Sequence, residues 1–354
     1  MITISINLLR WNTPWDDIRV CIEAVLMSDY DQFDLVYMEN PTAAAADSLV
    51  NQVRQCFGTD PRLRIVKAER NLGYAGGHNH FFAETDSDLL MVLNPDAIVG
   101  PDFLKNIIRA FDDPKVAAAT GKMIKPLVNN SGEQILDGTG IILYRSRRSR
   151  ERGQLEVDHG QYDREPRIFG VSGTAAVYRK SALEEVKLGT SEYFDTDFFA
   201  YWEDLDLSWR LRLRGYECVY VPKAIVKHGR AAGSSKAGIR NFSEFIRNQR
   251  SIPLNVRQWS WRNHLFAIIK NDFGRSFYRD LPRIIFRELG VLIFLVCFMP
   301  DTLYVVPDFV RLLPRMLSKR RYIMRHIKST SKPIDPFLLA STPPGVPLMN
   351  SLER

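Results

Sequence analysis

The first third of the chain alternates short apolar runs with longer amphipathic ones, and that rhythm restricts the fold more than any other feature. Ile2–Leu9, Phe33–Met38, Leu63–Lys67 and Leu89–Leu93 have the length and aliphatic content of strands. Trp15–Met27, Ala43–Cys56, Gly76–Glu84 and Asp102–Phe111 carry helical spacing. A strand, a helical crossover and a second strand return parallel to one another. The order therefore predicts an α/β chain: a mostly parallel sheet with flanking helices on both faces.

The remaining segments are less regular. Asn129–Arg152 is dominated by Gly, Asn, Ser and Arg and reads as loop, Val171–Arg179 returns to strand character, and Lys180–Val186 reads as helix. Beyond about Ala231 the chain turns helical and basic, and from Pro333 a tail with Pro336, Pro343, Pro344 and Pro347 reads as unstructured. With 354 residues, this predicts one large domain over 1–235, a basic helical region over 236–332 and a flexible tail over 333–354.

Four cysteines, Cys21, Cys56, Cys218 and Cys297, show no CxxC spacing, which suggests neither a zinc site nor a disulfide framework and points to a reducing cytoplasmic setting. Met1–Ile6 enters a strand pattern directly, so no signal peptide is expected. The net charge of +7 is uneven: between Phe309 and Pro333 there is no acidic residue, while Arg311, Arg315, Lys319, Arg320, Arg321, Arg325, Lys328 and Lys332 all fall there. Such a stretch suits a polyanion. Just before it, Leu289–Met299 is the most apolar run of the chain and is shorter than the roughly 20 residues a spanning helix needs. It is either a buried core helix or an interfacial one. Arg279, Arg283 and Arg287 precede it at four-residue spacing, and the basic run follows it, which favours an anionic membrane surface. Nucleic acid is not an expected partner, because aromatics do not interleave with the basic run beyond Tyr322.

Phe194–His228 carries the densest chemistry. Glu203, Asp204 and Asp206 follow the aromatic run Phe198, Phe199, Tyr201 and Trp202 and open a helix that Gly215 stops. Acidic residues in a first helical turn complement the helix dipole, and that ordinary reading stands beside a catalytic one. Upstream, the strand Leu89–Leu93 ends on Asn94-Pro95-Asp96. Ligands of open α/β sheets bind beyond the carboxyl ends of strands, so Asp96 stands where a ligand would. A strand-end carboxylate plus a helix-start carboxylate suggests a metal-assisted site with a general base. A third element, Asn71-Leu72-Gly73-Tyr74-Ala75-Gly76-Gly77-His78-Asn79, follows a strand and opens a helix. Glycines there let backbone approach a ligand, or simply make a helix-entry loop; neither a dinucleotide fingerprint nor a Walker loop is present.

Taken in order, NLGYAGGHN, LNPDA and SGTAAVYRKSAL…FFAYWEDLDLSWRLRLRGY…VPKAIVKH resemble family 2 inverting glycosyltransferases, in particular the bacterial rhamnosyltransferase-like branch that builds surface polysaccharides. The match runs from Ser5 to about His228, and Arg262-Asn263-His264-Leu265 with Lys270-Asn271 resembles a later segment of that family. The resemblance implies a glycosyltransferase A-type, Rossmann-like fold and a nucleotide-sugar donor held across the N-terminal half. Asn12, Glu39, Asn71, Gly73, Gly76, Gly77, Asn79 and Asn94 then fall at donor-binding positions, Glu39 standing where the family usually has an Asp-Asn-Ser type turn. Asp96 is implied as the surviving carboxylate of the metal motif and His228 as the late metal-binding histidine, with Mn²⁺ or Mg²⁺ as the ion. Asp204 is the implied base, while Glu203 either hydrogen-bonds the acceptor or braces the helix; Trp202 and Gly173 fall at acceptor positions, with core packing and a tight strand crossing as their structural alternatives. Asp206 is expected to cap the helix or to pair with Arg210.

The implied acceptor is a glycan or a lipid-linked saccharide, met at the cytoplasmic face of the cell membrane; a second copy of the chain is a further possible partner. Arg145, Arg147, Arg148, Arg150 and Arg152 read as a solvated loop, or as a clamp for the pyrophosphate of a lipid-linked acceptor. The competing readings are the same fold with a UDP-hexose, galactofuranose or N-acetylhexosamine donor, and a catalytically silent binding module.

Overall fold

The alternation of apolar runs is realised as a wide twisted sheet with helices on both sides. A computed structural model of the chain describes residues 1–41, 46–126, 128, 131–229, 242–327 and 335–339. In the first third β1 (Ile4–Arg10), α1 (Trp15–Leu26), β2 (Phe33–Glu39), α2 (Ala46–Phe57), β3 (Leu63–Lys67), α3 (Gly73–Ala83) and β4 (Leu89–Leu93) succeed one another, close to the expected bounds. β1 and β4 are buried along their whole length, as central strands covered on both faces must be.

Then come β5 (Ala97–Val99), α4 (Phe103–Ile108), β6 (Val116–Ile124), β7 (Leu136–Gly138), β8 (Ile141–Tyr144), β9 (Ser149–Glu151), β10 (Arg167–Ile168), β11 (Ala175–Arg179), α5 (Lys180–Val186), α6 (Glu203–Leu213) and β12 (Glu217–His228). The sheet order is β10-β12-β6-β11-β4-β1-β2-β3, with β5 paired to β12 and β7 to β6. β1, β2, β3 and β4 are mutually parallel, β11 runs against both β4 and β6, and β12 is parallel to β6. The carboxyl ends of β1, β2, β4, β6 and β12 therefore open on one edge. α1, α2 and α4 cover one face through Ile18, Val53 and Phe103, while α3, α5 and α6 cover the other through Phe82, Leu183 and Leu207.

β6, VAAATGKMI, is wholly buried yet carries little β-branched content, so nothing in its local sequence announced a strand. Its small residues are a packing requirement: a Cβ on Gly121 would stand 2.1 Å from the Ala224 carbonyl oxygen. The expectation of loop over Asn129–Arg152 is corrected as well, since β7, β8 and β9 lie there. Arg147 is fully buried, with Nε 2.6 Å from Asp272 and Nη1 3.0 Å from Asp280; Arg145 also pairs with Asp280. Arg152 lies over the rings of Tyr162 and Tyr220. Arg145 and Arg147 staple the small sheet to the C-terminal helices, while Arg152 is held within the sheet region by Thr139 and the Glu165 carbonyl. They form neither a solvated loop nor a free pyrophosphate clamp.

The C-terminal part contains α7 (Phe242–Ser251), α8 (Leu254–Asn271), α9 (Gly274–Phe298), α10 (Val306–Arg325) and β13 (Leu338–Leu339). The expected boundary at 235/236 lies outside the described residues. α8 and α10 share one apolar cluster with the sheet region: Leu205, Trp209, Phe169, Phe266, Leu312 and Met316 are all buried together. Of the expected flexible tail, residues 335–339 are described and are ordered: β13 pairs with β8, and Phe337 lies 3.6 Å from the Arg212 guanidinium.

α9 answers the choice between core and interfacial helix with a divided surface. Ile284, Val291, Phe294 and Leu295 are buried, whereas Phe286, Leu289, Ile293 and Val296 are 77%, 53%, 63% and 56% exposed. Among the described residues no single helix is long and apolar enough to cross a membrane; α9 and the helical stretch Pro300–Arg325 meet the length and composition together but are bent by 114°.

Candidate active site

Asp96 and His228 meet through strand register. β5 pairs antiparallel with the end of β12, with His228 opposite Ala97, so the residue before Ala97 stands beside the imidazole. His228 Nε2 is 3.4 Å from Asp96 Oδ2, and His228 Nδ1 is 2.8 Å from Asp137 Oδ2. Asp137, on β7, is fully buried. Burial by itself lowers the His228 pKa, but the hydrogen bonds to Asp137 and Asp96 outweigh it and the net direction is upward. Nδ1–H donates to Asp137, which leaves Nε2 aimed at Asp96, the arrangement that orients a ligating histidine. Two ligands on neighbouring corners of one ion bound at about 2.1 Å stand about 3 Å apart, so this pair fits a hard divalent cation. Among the described residues no group of three or more His, Cys, Asp or Glu forms a complete cage. Sequence reasoning missed Asp137; no local motif marks it.

The glycine loop meets the acidic helix at Gly173. Tyr74 Oη donates to the Gly173 carbonyl at 2.5 Å, and the Gly173 N–H donates to Asp204 Oδ2 at 3.0 Å. Burial pushes the Tyr74 hydroxyl well above its ordinary pKa, so it remains a donor. A Cβ on Gly173 would stand 2.6 Å from Tyr74 Oη, so no other residue fits between loop and helix. Gly173 directly precedes Thr174, whose carbonyl accepts from the Asn94 N–H at 2.8 Å. The pairing of β11 with β4 thus sets Asp204 and the Asn94–Asp96 turn on the same sheet edge.

α6 explains why Asp204 stands apart. Of its eleven residues all but Asp204 are buried. Asp206 is spent on structure: it pairs with Arg210 at 3.0 Å as expected, with Lys270 at 2.9 Å, and accepts from Asn271 at 2.7 Å. Burial alone would raise its pKa, but Lys270 and Arg210 hold it below the ordinary value. Glu203 is 6% exposed, at the first position of the helix. The turn entering α6 is strained: Phe199, Tyr201 and Trp202 have φ of 66°, 72° and 75°. Left-handed non-glycine residues cost about 1–3 kcal/mol each, so the surrounding structure must hold them.

Several expected contacts are structural here. Glu39 is fully buried, with Oε1 2.6 Å from Arg10 Nη1 and Oε2 accepting from Tyr37 Oη at 2.5 Å, so both oxygens are engaged inside the fold. Asn79 donates to the Phe194 carbonyl and accepts from the Tyr193 and Phe194 N–H groups, pinning that segment to α3. Trp202 is 1% exposed and packs edge-on against His264 with ring centroids 4.5 Å apart; it is core, not a platform for a sugar. Asn71 caps the loop by accepting from the Gly73 N–H at 2.9 Å, and Gly73 itself takes φ 70° beneath Phe199. Gly77 packs on Leu9 and Gly76 on Leu72. Asn40, not expected in the site, holds the loop from below, accepting from the Leu72 N–H at 2.7 Å and donating to the Gly73 carbonyl. Asn12 (φ 54°) is exposed just past β1, and Asn94 is half-buried just past β4.

The glycine loop, the Asn94–Asp96 turn and the start of β11 all lie in a stretch that matches one family model, Glycosyl transferase family 2, over residues 9–187. The chain belongs to glycosyl transferase family 2. Its fold is the glycosyltransferase A type. The chain is 27% identical over 215 residues to a poly-beta-1,6-N-acetyl-D-glucosamine synthase of Staphylococcus aureus, a match covering 59% of this chain and 46% of that protein. It thus spans about half the length of the curated relatives it matches. Among solved structures, GalNAc-T7 with UDP, GalNAc and Mn²⁺ superposes with a TM-score of 0.55 at 11% identity, covering 76% of this chain and 48% of that one. A mannosyltransferase from Pyrobaculum calidifontis with GDP-Man and Mn²⁺ gives 0.52 at 14%, covering 91% and 85%. At such identities these two likenesses speak to the fold of this family 2 member.

Proposed function

We infer that the chain is an inverting glycosyltransferase that moves a sugar from a nucleotide donor to a hydroxyl of a glycan or lipid-linked acceptor in surface-polysaccharide synthesis. The observation that carries this reading is Asp204: the one residue of α6 left unburied, held by the Gly173 N–H at the sheet edge that also bears Asp96 and His228. Asp204 takes the proton of the acceptor hydroxyl as that oxygen attacks the anomeric carbon from the face opposite the leaving diphosphate. The Gly173 N–H holds Oδ2 and the Leu205 N–H holds Oδ1 at 2.7 Å, which together fix the orientation of the carboxylate. Glu203 sits beside it as a partner for the acceptor. Asp96 and His228 would hold Mn²⁺ or Mg²⁺, which when bound offsets the negative charge of a diphosphate. Asn12, Asn94 and the backbone of Gly73 and Gly76 border the same edge and are assigned to the donor; Glu39, Asn71, Gly77 and Asn79 support that surface from within.

The preferred donor is dTDP-rhamnose, on the motif resemblance. A UDP-N-acetylhexosamine is the second reading, supported by the name of the Staphylococcus aureus relative. Residues 1–235 are assigned to catalysis, with α8 of the 236–332 region bracing α6, and the rest of that region, through the exposed side of α9, to attachment at the cytoplasmic face of an anionic membrane. The exposed apolar side of α9, with the exposed Arg283 before it and the exposed Arg311, Arg315, Arg321 and Arg325 after it, supports that location. Donor hydrolysis and thermal shift with Mn²⁺ against dTDP-rhamnose, UDP-N-acetylglucosamine, UDP-glucose and UDP-galactose test the assignment. Rhamnose release supports the first reading and N-acetylglucosamine release the second. No release and no shift with any donor would refute both.

A further inference from the structure

The strained turn before Asp204 is held by α8, and both lie beyond residues 9–187 that match the family model. Asn263, in the middle of α8 and fully buried, places Nδ2 2.9 Å from each of the carbonyl oxygens of Phe198, Ala200 and Tyr201. A carboxamide nitrogen has two hydrogens, so the three carbonyls share them, and all three belong to the segment with left-handed backbone. The Asn263 oxygen is itself fixed, accepting from Arg262 Nε at 3.1 Å, while Arg262 Nη2 donates to the Asp197 carbonyl at 3.0 Å. Of the other carbonyls of the turn, that of Phe199 accepts from the Ala75 N–H of the glycine loop at 3.1 Å and that of Trp202 from the Asp206 N–H at 2.9 Å. Two turns further along α8, Lys270 and Asn271 grip Asp206. α8 therefore holds the acidic helix on both sides of Asp204: at the turn before it and at the carboxylate after it.

The residue type is specific to the task. Leucine would fill the same volume and take this partner from the Ala200 and Tyr201 carbonyls, while the Phe198 carbonyl would keep the Ala200 N–H at 2.8 Å; aspartate would set a negative charge against all three. A purely stabilising role would be met by any tight packing. A carboxamide reaching a run of distorted backbone two residues from the proposed base does something more particular. We propose that Asn263 is a positioning residue for the transfer step, fixing the orientation in which α6 presents Asp204. This rests on the reading of Asp204 as the base.

The test is a double-mutant cycle on the full chain with Asn263→Leu, Asp204→Asn and the pair, measuring kcat, donor KM and the donor Kd with Mn²⁺. Small misplacements of a catalytic group cost up to about a hundredfold, so Asn263→Leu should lower kcat by about tenfold to a hundredfold with donor Kd within about twofold. In the Asp204→Asn background the same change should remove less than about twofold more, because residues acting as a unit are not additive. Asn263→Ser, which keeps one donor, should fall between wild type and Asn263→Leu, and carries the same cycle if the leucine variant does not fold. Equal losses on both backgrounds, a parallel weakening of donor binding, or an unchanged kcat would each overturn the proposal. Full turnover in Asp204→Asn alone would instead remove the base reading, so the two failures are distinguishable.

Discussion

His228 is aimed by Asp137: the buried carboxylate lies 2.8 Å from Nδ1 and leaves Nε2 facing Asp96. The two residues are 91 positions apart and come from β7 and β12 on either side of β6. Partners of this kind set the tautomer and basicity of a ligating imidazole. Asp137→Asn, which keeps shape and removes charge, should weaken Mn²⁺ binding by about 10–100-fold in a titration with nucleoside diphosphate present. Asp96→Ala should abolish turnover and the EDTA sensitivity of donor binding. Full wild-type activity in excess EDTA would show that the pair holds no working metal.

Asp204→Asn preserves size and the contact with Gly173 while removing basicity. Turnover should drop by roughly 10²–10⁴-fold, the usual worth of a general base, with donor affinity little changed. Steady-state rates beside Glu203→Gln decide the assignment. Loss in Glu203→Gln with retention in Asp204→Asn would transfer the role to Glu203.

His78 predicts a pH dependence of stability. It is fully buried in α3, its Nδ1 accepts from Asn7 Nδ2 at 2.9 Å, and burial lowers its pKa to about 3. Below pH about 6.5 the unfolded chain then binds more protons than the folded one, so the contribution is complete above that value. It declines as pH falls toward about 3, at a slope approaching 1.4 kcal/mol per pH unit for a single group. Urea unfolding at pH 7, 6, 5 and 4 should show His78→Phe with a shallower loss than wild type. Identical slopes would place the titration elsewhere.

The apolar side of α9 predicts reversible attachment to anionic vesicles, since neighbouring basic residues each add about 1 kcal/mol at such a surface. Phe286→Asp with Ile293→Asp changes two exposed side chains and leaves the buried face of α9 intact. The double variant should keep its unfolding midpoint and lose sedimentation with phosphatidylserine vesicles. Truncation before Arg279 is a poor control, because it removes Asp280 from the buried Arg147. Undiminished vesicle binding by the double variant would assign the face to a second copy of the chain or another protein.

By itself the sequence determined the elements of the first third of the chain and singled out candidates for the chemistry-bearing positions. Apolar periodicity marked β1 to β4, and the clustering of Glu203, Asp204 and Asp206 marked the start of α6, because both signals are local. The tertiary structure decided which carboxylate does what. Asp204 and Asp206 sit two residues apart in one helix, yet packing of α8 adds Lys270 and Asn271 to the local partner Arg210 around Asp206 and leaves Asp204 half-buried. The same is true of Glu39, whose oxygens are taken by Arg10 on the neighbouring strand and by Tyr37 two residues earlier on its own, and of Asn263, whose three carbonyl partners lie more than sixty residues upstream. Secondary structure follows from the spacing of neighbours along the chain, but the state of a polar group depends on what the fold brings within hydrogen-bond reach and on how much water it leaves there.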